Sequence, residues 1–369
     1  MTKERNNNPL GIYIHVPFCL KKCNYCDFFS HAVKDESEVE NYFASLCDEI
    51  RNSEHRGRFC DTVFFGGGTP SLPDPVYIEN VLAALRDGFI ISDDAEISIE
   101  ANPETFSKEK LFYYKKLGIN RISIGIQSLN DDVLKRMGRV HNADRAREAI
   151  RLVKELGLNY NCDLIFGAPG QTIDIFKRDF DEILSFEPNH VSFYSLQIEE
   201  CTPFYIDYRF GNLQIPSWEE NRSMYHYAVN ALKSRGYHHY EVSNAAKPGF
   251  ECRHNLKYWT MQEYVGFGKS AHSFIGGHRT DDQYPDLKTD FIFTELRLID
   301  GFDKNDYLKM FGSNFEDDFK ISYNKLINEG LLKVNGSTIA FTEKGLDQTN
   351  LVLEQLINEK YNNDEGEQL

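Results

Sequence analysis

The sequence predicts an α/β fold: a partial (β/α)6 barrel over residues 1–235, a connecting region over 236–289, and a small C-terminal winged-helix-like α+β domain over 290–369. Three observations predict it. Within the first 200 residues, six short apolar runs alternate with amphipathic stretches, the pattern of parallel strands joined by helical crossovers. The chemically unusual residues fall at the ends of those runs, where such folds carry their sites. From about residue 290 the pattern changes to helix, helix, small hairpin, helix.

The strand candidates are GIYIHV (11–16), TVFFGG (62–67), AEISIEA (95–101), RISIGIQS (121–128), NCDLIFG (161–167) and HVSFYSL (190–196). All are rich in β-branched and aromatic residues, as buried strands are. The clearest helix is 36–54, with Val39, Tyr42, Phe43, Leu46, Cys47 and Ile50 at helical spacing. Others are predicted near 76–88, 107–117, 142–156, 172–185 and 218–235. Six units suit an open barrel better than a closed eightfold one. Residues 236–285 read as loop-rich, and the terminal NNDEGEQL as frayed. The C-terminal domain lacks a basic face, so a structural or lid role at the barrel mouth is expected instead of nucleic-acid binding.

A net charge of −16 argues against a nucleic-acid surface. No apolar run reaches 18 residues, so no integral membrane segment is expected; peripheral membrane contact stays open. The polar start, MTKERNNNPL, lacks the apolar core of a signal peptide, and a cytoplasmic location is expected. Of eight cysteines only Cys19, Cys23 and Cys26 cluster. Cys47 belongs to the apolar face of its helix and is expected in the core.

Cys19, Cys23 and Cys26 have C-x3-C-x2-C spacing, with no fourth cysteine close by. Three thiolates can hold three corners of a [4Fe–4S] cluster and leave one iron open to another ligand. Spacing leaves a second reading open, a zinc site completed by His15 or His31. The neighbouring Phe18, Tyr25, Phe28 and Phe29 are expected to shield the metal.

The cysteine spacing, with an aromatic before the last cysteine and directly after the first strand, resembles the radical SAM superfamily. YIHVPFC, CNYCDF, FFGGGTPS, EANPET, NRISIGIQS, DLIFGAPGQ, RHNLKYW and GFGKSAHS follow in order. Together they resemble the oxygen-independent coproporphyrinogen III oxidase-like group, and most closely its haem-chaperone branch. The resemblance implies that S-adenosylmethionine (SAM) occupies the open iron and is reductively cleaved at its sulfonium, with electrons from a donor such as flavodoxin or ferredoxin. It implies that Gly67, Gly68 and Thr69 form the glycine-rich strand end near the methionine amino group. Glu100 is implied at the ribose or amino end of SAM. Gln127, Arg139 and Asp163 are implied as further SAM contacts, Arg139 pairing with a methionine carboxylate at one of two SAM sites. Tyr13 and Tyr25 match aromatic positions beside the cofactor.

Two functions follow from the resemblance. One is haem carriage to an acceptor protein; the other is oxidative decarboxylation of coproporphyrinogen III. Members that decarboxylate resemble C-x3-C-x2-C-x-C, and here the last position is Phe28. The HN-x2-YW stretch, with His254, Tyr258 and Trp259, resembles the haem signature of the chaperone branch. A neutral imidazole ligates haem iron, and the aromatic rings offer flat apolar faces. The chaperone reading is therefore preferred. Cys252 is expected as a buried thiol, and His272 is a second candidate ligand. His238 and His239, adjacent on a strand, face opposite ways and make a poor joint pair. Lys269 is expected in water. About 16 residues separate SAHSF from FIFTEL, a shorter link to the C-terminal domain than is usual in the family.

Overall fold

The computed structural model describes residues 9–280 and 286–366. The six expected strands form as β1 (Leu10–Val16), β2 (Phe59–Gly67), β3 (Ile90–Ala101), β4 (Arg121–Gln127), β5 (Asn159–Phe166) and β6 (His190–Ser195). They lie side by side in chain order and pair in parallel. Near-continuous burial along β1 and β4 follows from helices covering one face and barrel-interior side chains filling the other.

The helices between them are set by their own ends. In Glu36–Arg51, Asp35 caps the N-terminus by accepting from the Glu38 amide, and Val39, Phe43, Leu46, Cys47 and Ile50 are buried. Cys47 thus packs as a core residue. The helices Pro75–Gly88, Lys108–Leu117, Ala143–Glu155 and Ile173–Ser185 cover the following crossovers, each with an Asp, Ser, Asn or Thr cap.

The region 236–289 differs from expectation. Its loops are interrupted by short elements, and its strands extend the same sheet at both edges. β7 (His238–Glu241) and β8 (Asn244–Ala246) add antiparallel beyond β6. β9 (Tyr264–Phe267) pairs in parallel with β1, and β10 (Phe274–Ile275) and β11 (His278–Arg279) continue antiparallel outside it. The result is an eleven-stranded open sheet with seven parallel strands at its centre, β9 and β1–β6. Val265, Phe267, Tyr237 and Ala245 belong to the main hydrophobic core. Between β8 and β9 lies a short helix, Arg253–Trp259.

The C-terminal domain has its own aromatic core, including Phe291, Phe302, Tyr307, Phe315 and Phe319. Its helices Leu287–Glu295, Lys304–Phe311 and Lys320–Asn328 precede the hairpin Leu332–Asn335/Thr338–Phe341, turned at Gly336. The last helix, Thr349–Gly366, runs through the first part of the tail expected to fray; 367–369 lie outside the described residues. So do residues 281–285 of the short link. The domain seals the β7 edge, where Val242 donates to the Arg297 carbonyl and Ile299 to that of Tyr240. Arg297 also lies over the Trp259 ring, and Arg222 and His226 of the helix Trp218–Ser234 both pair with Asp347. No described helix is long and apolar enough to cross a membrane.

Candidate functional site

The C-terminal ends of β1–β4 gather the cysteine loop, the glycine turn and a chain of polar side chains. Cys19, Cys23 and Cys26 are half-buried free thiols. Burial, more than any other influence, pushes Cys19 and Cys26 up, and each feels the charge of Cys23. Among the described residues no three His, Cys, Asp or Glu side chains converge as a single ion requires. The zinc reading loses its fourth ligand as well. His15 spends its ring nitrogens on the Tyr13 hydroxyl (3.1 Å) and the Phe29 carbonyl (2.8 Å), and His31 pairs with Glu38 (3.0 Å). A cluster takes one thiolate per iron, so its sulfurs stand near one another without meeting at a point. Cys23 lies close enough to Cys19 and Cys26 for its charge to act on both, the proximity that three thiolates on one cluster need.

A hydrogen-bonded arc links two of the sulfurs. Thr69 donates to Cys19 Sγ (3.5 Å), and Asn102 donates to Thr69 Oγ1 (3.0 Å). Arg139 donates to Asn102 Oδ1 (2.6 Å), to the Gly125 carbonyl (2.7 Å) and to Cys23 Sγ (3.5 Å). Arg139 therefore turns inward to the cysteine loop. Its Nε remains without a partner. Asn102 escaped the sequence reading, although it lies inside the EANPET stretch. Its role depends on the ends of β2, β3 and β4 meeting in space.

The glycines are required by close approach. A Cβ on Gly67, where φ is +112°, would fall 2.6 Å from the His15 ring. On Gly68 it would meet the Phe18 carbonyl at 2.8 Å. The turn thus sits hard against the strand that leads into the cysteine loop. The Gly67 amide donates to Glu100 (3.1 Å), whose carboxyl is pushed up to about 8, by burial first and then by Asp163. Asp163 accepts from Ser123 (2.9 Å) and Asn161 (2.6 Å). Burial raises it too. Gln127 has a left-handed backbone, φ +64°, at a bulge in β4, and its buried Oε1 has no hydrogen-bond partner. An unpaired buried acceptor beside two protonatable carboxyls is a cradle for a ligand rich in donors, as an amino acid headgroup or ribose is. Tyr13 stacks inside the barrel on Phe64, and Tyr25 packs against Phe204.

The aromatic shield is only partly realised. Phe18 is buried among Tyr42 and Phe43, whereas Phe28 and Phe29 are 63% and 39% exposed. Lys269 is exposed, as expected, and lies over the Phe29 ring at 5.0 Å.

The HN-x2-YW stretch lies elsewhere. Its helix plugs the end of the barrel where the parallel strands begin. His254 is fully buried, bonded to Thr62 Oγ1 (2.8 Å) and the Tyr258 hydroxyl (2.8 Å), and stacked on Phe64. Both ring nitrogens are engaged. Burial, then Lys257 and Arg121, lowers the imidazole to about 3, so it stays neutral. Thr62 precedes Gly67 by five strand residues, about 16 Å. The motif and the cysteines are therefore at opposite ends. Trp259 stacks under Arg297 (4.6 Å). Cys252 is buried beside Glu96 (3.5 Å), as expected of a structural thiol. His239 is turned inward and bonded to the Val242 carbonyl, while His238 pairs with Glu251 outside.

Residues 13–183 match the Radical SAM superfamily. Over 361 residues the chain is 33% identical to the heme chaperone HemW of Bacillus subtilis (strain 168), covering 90% of this chain and 95% of that one. It is 37% identical over 309 residues to the heme chaperone HemW of Escherichia coli (strain K12), covering 82% and 77%. The protein of that name in Lactococcus lactis subsp. lactis (strain IL1403) is 32% identical over 372 residues, with 95% and 97% covered. Among solved structures, the coproporphyrinogen III oxidase HemN from Escherichia coli superposes with a TM-score of 0.80 at 22% identity, over 94% of this chain and 90% of that one. That likeness is one of fold.

Proposed function

The chain belongs to the HemW family of radical SAM proteins, and from that premise we propose that it is a haem chaperone, binding haem and delivering it to an acceptor protein. The observation that carries this reading is identity of 32–37% to heme chaperones across most of both chains. Cys19, Cys23 and Cys26 would hold the [4Fe–4S] cluster, which supplies an electron and an open iron for SAM. Thr69 and Arg139 donate to two of the sulfurs and so favour their thiolate form. Gly67, Gly68, Glu100, Gln127 and Asp163 would receive SAM, with Tyr13 and Tyr25 walling the site. The residues fit the group: Gln127 Oε1 is buried with no partner within the chain, an acceptor left for a donor-rich ligand.

The reducing cytoplasm suits three unpaired thiols, and an electron donor of the flavodoxin or ferredoxin class would reduce the cluster there. The cluster, in this reading, gates haem release or keeps haem in one redox state. The test is anaerobic reconstitution. Protein carrying one cluster should transfer haem to an apo-haemoprotein, and Cys23→Ala should lose the cluster and any SAM-dependent part of that transfer. Incubation with coproporphyrinogen III, SAM and a reductant should give no vinyl product. Its appearance would reverse the assignment in favour of the dehydrogenase.

A further inference from the structure

We propose that haem docks at the barrel mouth, with His272 as its iron ligand, on a surface made by Phe28, Phe29 and Lys269; the proposal rests on the haem-chaperone reading and names where that activity resides. Almost every histidine of the chain already has a neighbour for its ring: His15, His31, His141, His190, His226, His238, His239 and His254 are within hydrogen-bond distance of theirs, and His55 stands 4.0 Å from the Glu54 carboxylate. Among the described residues only His272 and His278 show no such partner. His278 lies on the outermost strand of the sheet, at its far end from the cysteines. His272 is exposed and follows β9 directly, at the same end as the cysteine loop.

Gly268 opens the turn that carries His272, and a Cβ there would fall 2.9 Å from the His15 carbonyl and 2.5 Å from the Tyr42 hydroxyl. At Gly266 a Cβ would clash with the His272 carbonyl at 2.3 Å. Two glycines thus let the His272 loop close onto the end of β1, immediately before the cysteines. Lys269 reaches from that loop to the Phe29 ring.

Haem combines a flat apolar face, an imidazole-seeking iron and two anionic propionates. Phe28 and Phe29 supply exposed rings, which globular surfaces seldom leave in pairs without use. Lys269 supplies a cation over one face of Phe29, with Lys21 and Lys22 exposed on the neighbouring loop. His254 supplies none of this from the opposite end of the barrel.

The test uses full-length, cluster-loaded protein titrated with haem b and, in parallel, with metal-free protoporphyrin IX. His272→Ala should weaken haem binding at least tenfold, bringing it near the metal-free porphyrin, with a shifted Soret band and unchanged cluster content. Phe29→Ala should weaken both porphyrins together. His272→Cys should restore iron binding with a thiolate-type spectrum. His254→Gln, a change inside the barrel plug, should lower thermal stability and leave the haem spectrum as it was. An unaltered Soret band and affinity in His272→Ala would overturn the site, as would loss of haem confined to folded His254→Gln. A wild-type chain that bound haem no better than the metal-free ring would sink the carrier reading itself, which the variants alone cannot do.

Discussion

Asn102 joins three strand ends with one amide. It donates to Thr69 and accepts from Arg139, and those two residues in turn reach Cys19 and Cys23. Replacing it by Ala leaves the buried Arg139 guanidinium without that acceptor, at a cost of about 1–3 kcal/mol. The expected outcome is a folded protein that loads less cluster and loses it faster in air, read as iron content and as decay of the visible charge-transfer bands. Asn102→Asp should do better than Ala, since Arg139 keeps a partner. Glu100 yields a second expectation. Its folded carboxyl titrates near 8, above the ordinary value of 4.5. Below about 4.5 both folded and unfolded forms hold the proton. Between there and 8 the unfolded chain releases it and the folded chain does not, so stability falls as pH rises through that window. Glu100→Gln keeps an acceptor for the Gly67 amide and removes the titration. Its Tm should exceed that of the parent at pH 8 and match it at pH 4.5. Binding of a cationic sulfonium beside Glu100 is expected to strengthen with pH only in the parent. None of these pairings is written in the sequence. The residue types are, since EANPET and GGGTP stand out, but a side chain's partner on another strand is fixed by register.

At the scale of elements, legibility followed length and period. The helix Glu36–Arg51 offered over four turns of apolar spacing, and its buried residues are those the spacing picked out, apart from Tyr42, which is half-buried and donates to the His15 carbonyl at 2.6 Å. The helix Arg253–Trp259 offered less than two turns, no side-chain cap, and the poor helix formers His, Asn, Tyr and Trp. It forms because tertiary contacts hold it: Glu96 accepts from the Arg253 and His254 amides, and Lys257 Nζ is buried against Asp61 at 2.8 Å. The strands β7–β11 are each two to four residues long, too short for alternation to register. That is why the haem signature read as an accessible loop and emerges as a barrel plug. The plug is testable. Lys257→Met leaves Asp61 and the Pro9 carbonyl without their buried cation, and breaking such a pair costs about 3–5 kcal/mol. A Tm lower by several degrees, with cluster content per folded chain unchanged, is expected. Gly11→Ala should act in the same direction, because its Cβ would meet the Lys257 side chain at 2.8 Å.

The whole molecule is organised around an open sheet whose two edges need cover. An exposed edge invites pairing with another chain. On one side β10 and β11 fold back as short antiparallel strands. On the other, the C-terminal domain lays residues 297–299 along β7, and Arg297 bonds the fully buried Glu241 at 3.2 Å while stacking on Trp259. One side chain therefore ties the domain to the sheet edge and to the plug at once. Burial raises the Glu241 carboxyl, and Arg297 is the first influence opposing that. Arg297→Ala leaves Glu241 with only Asn244 and the Ser243 amide as partners. A loss of about 3 kcal/mol is expected near neutral pH. The loss should shrink in mild acid, because a carboxyl whose pKa has risen further takes a proton and no longer needs the cation. Equilibrium urea unfolding at pH 5 and pH 7.5 measures the difference. An equal loss at both values would mean that Arg297 acts through packing on Trp259 alone. In that case Arg297→Met, which keeps apolar bulk and drops the charge, should recover most of the stability; where charge is the cause, it should recover little.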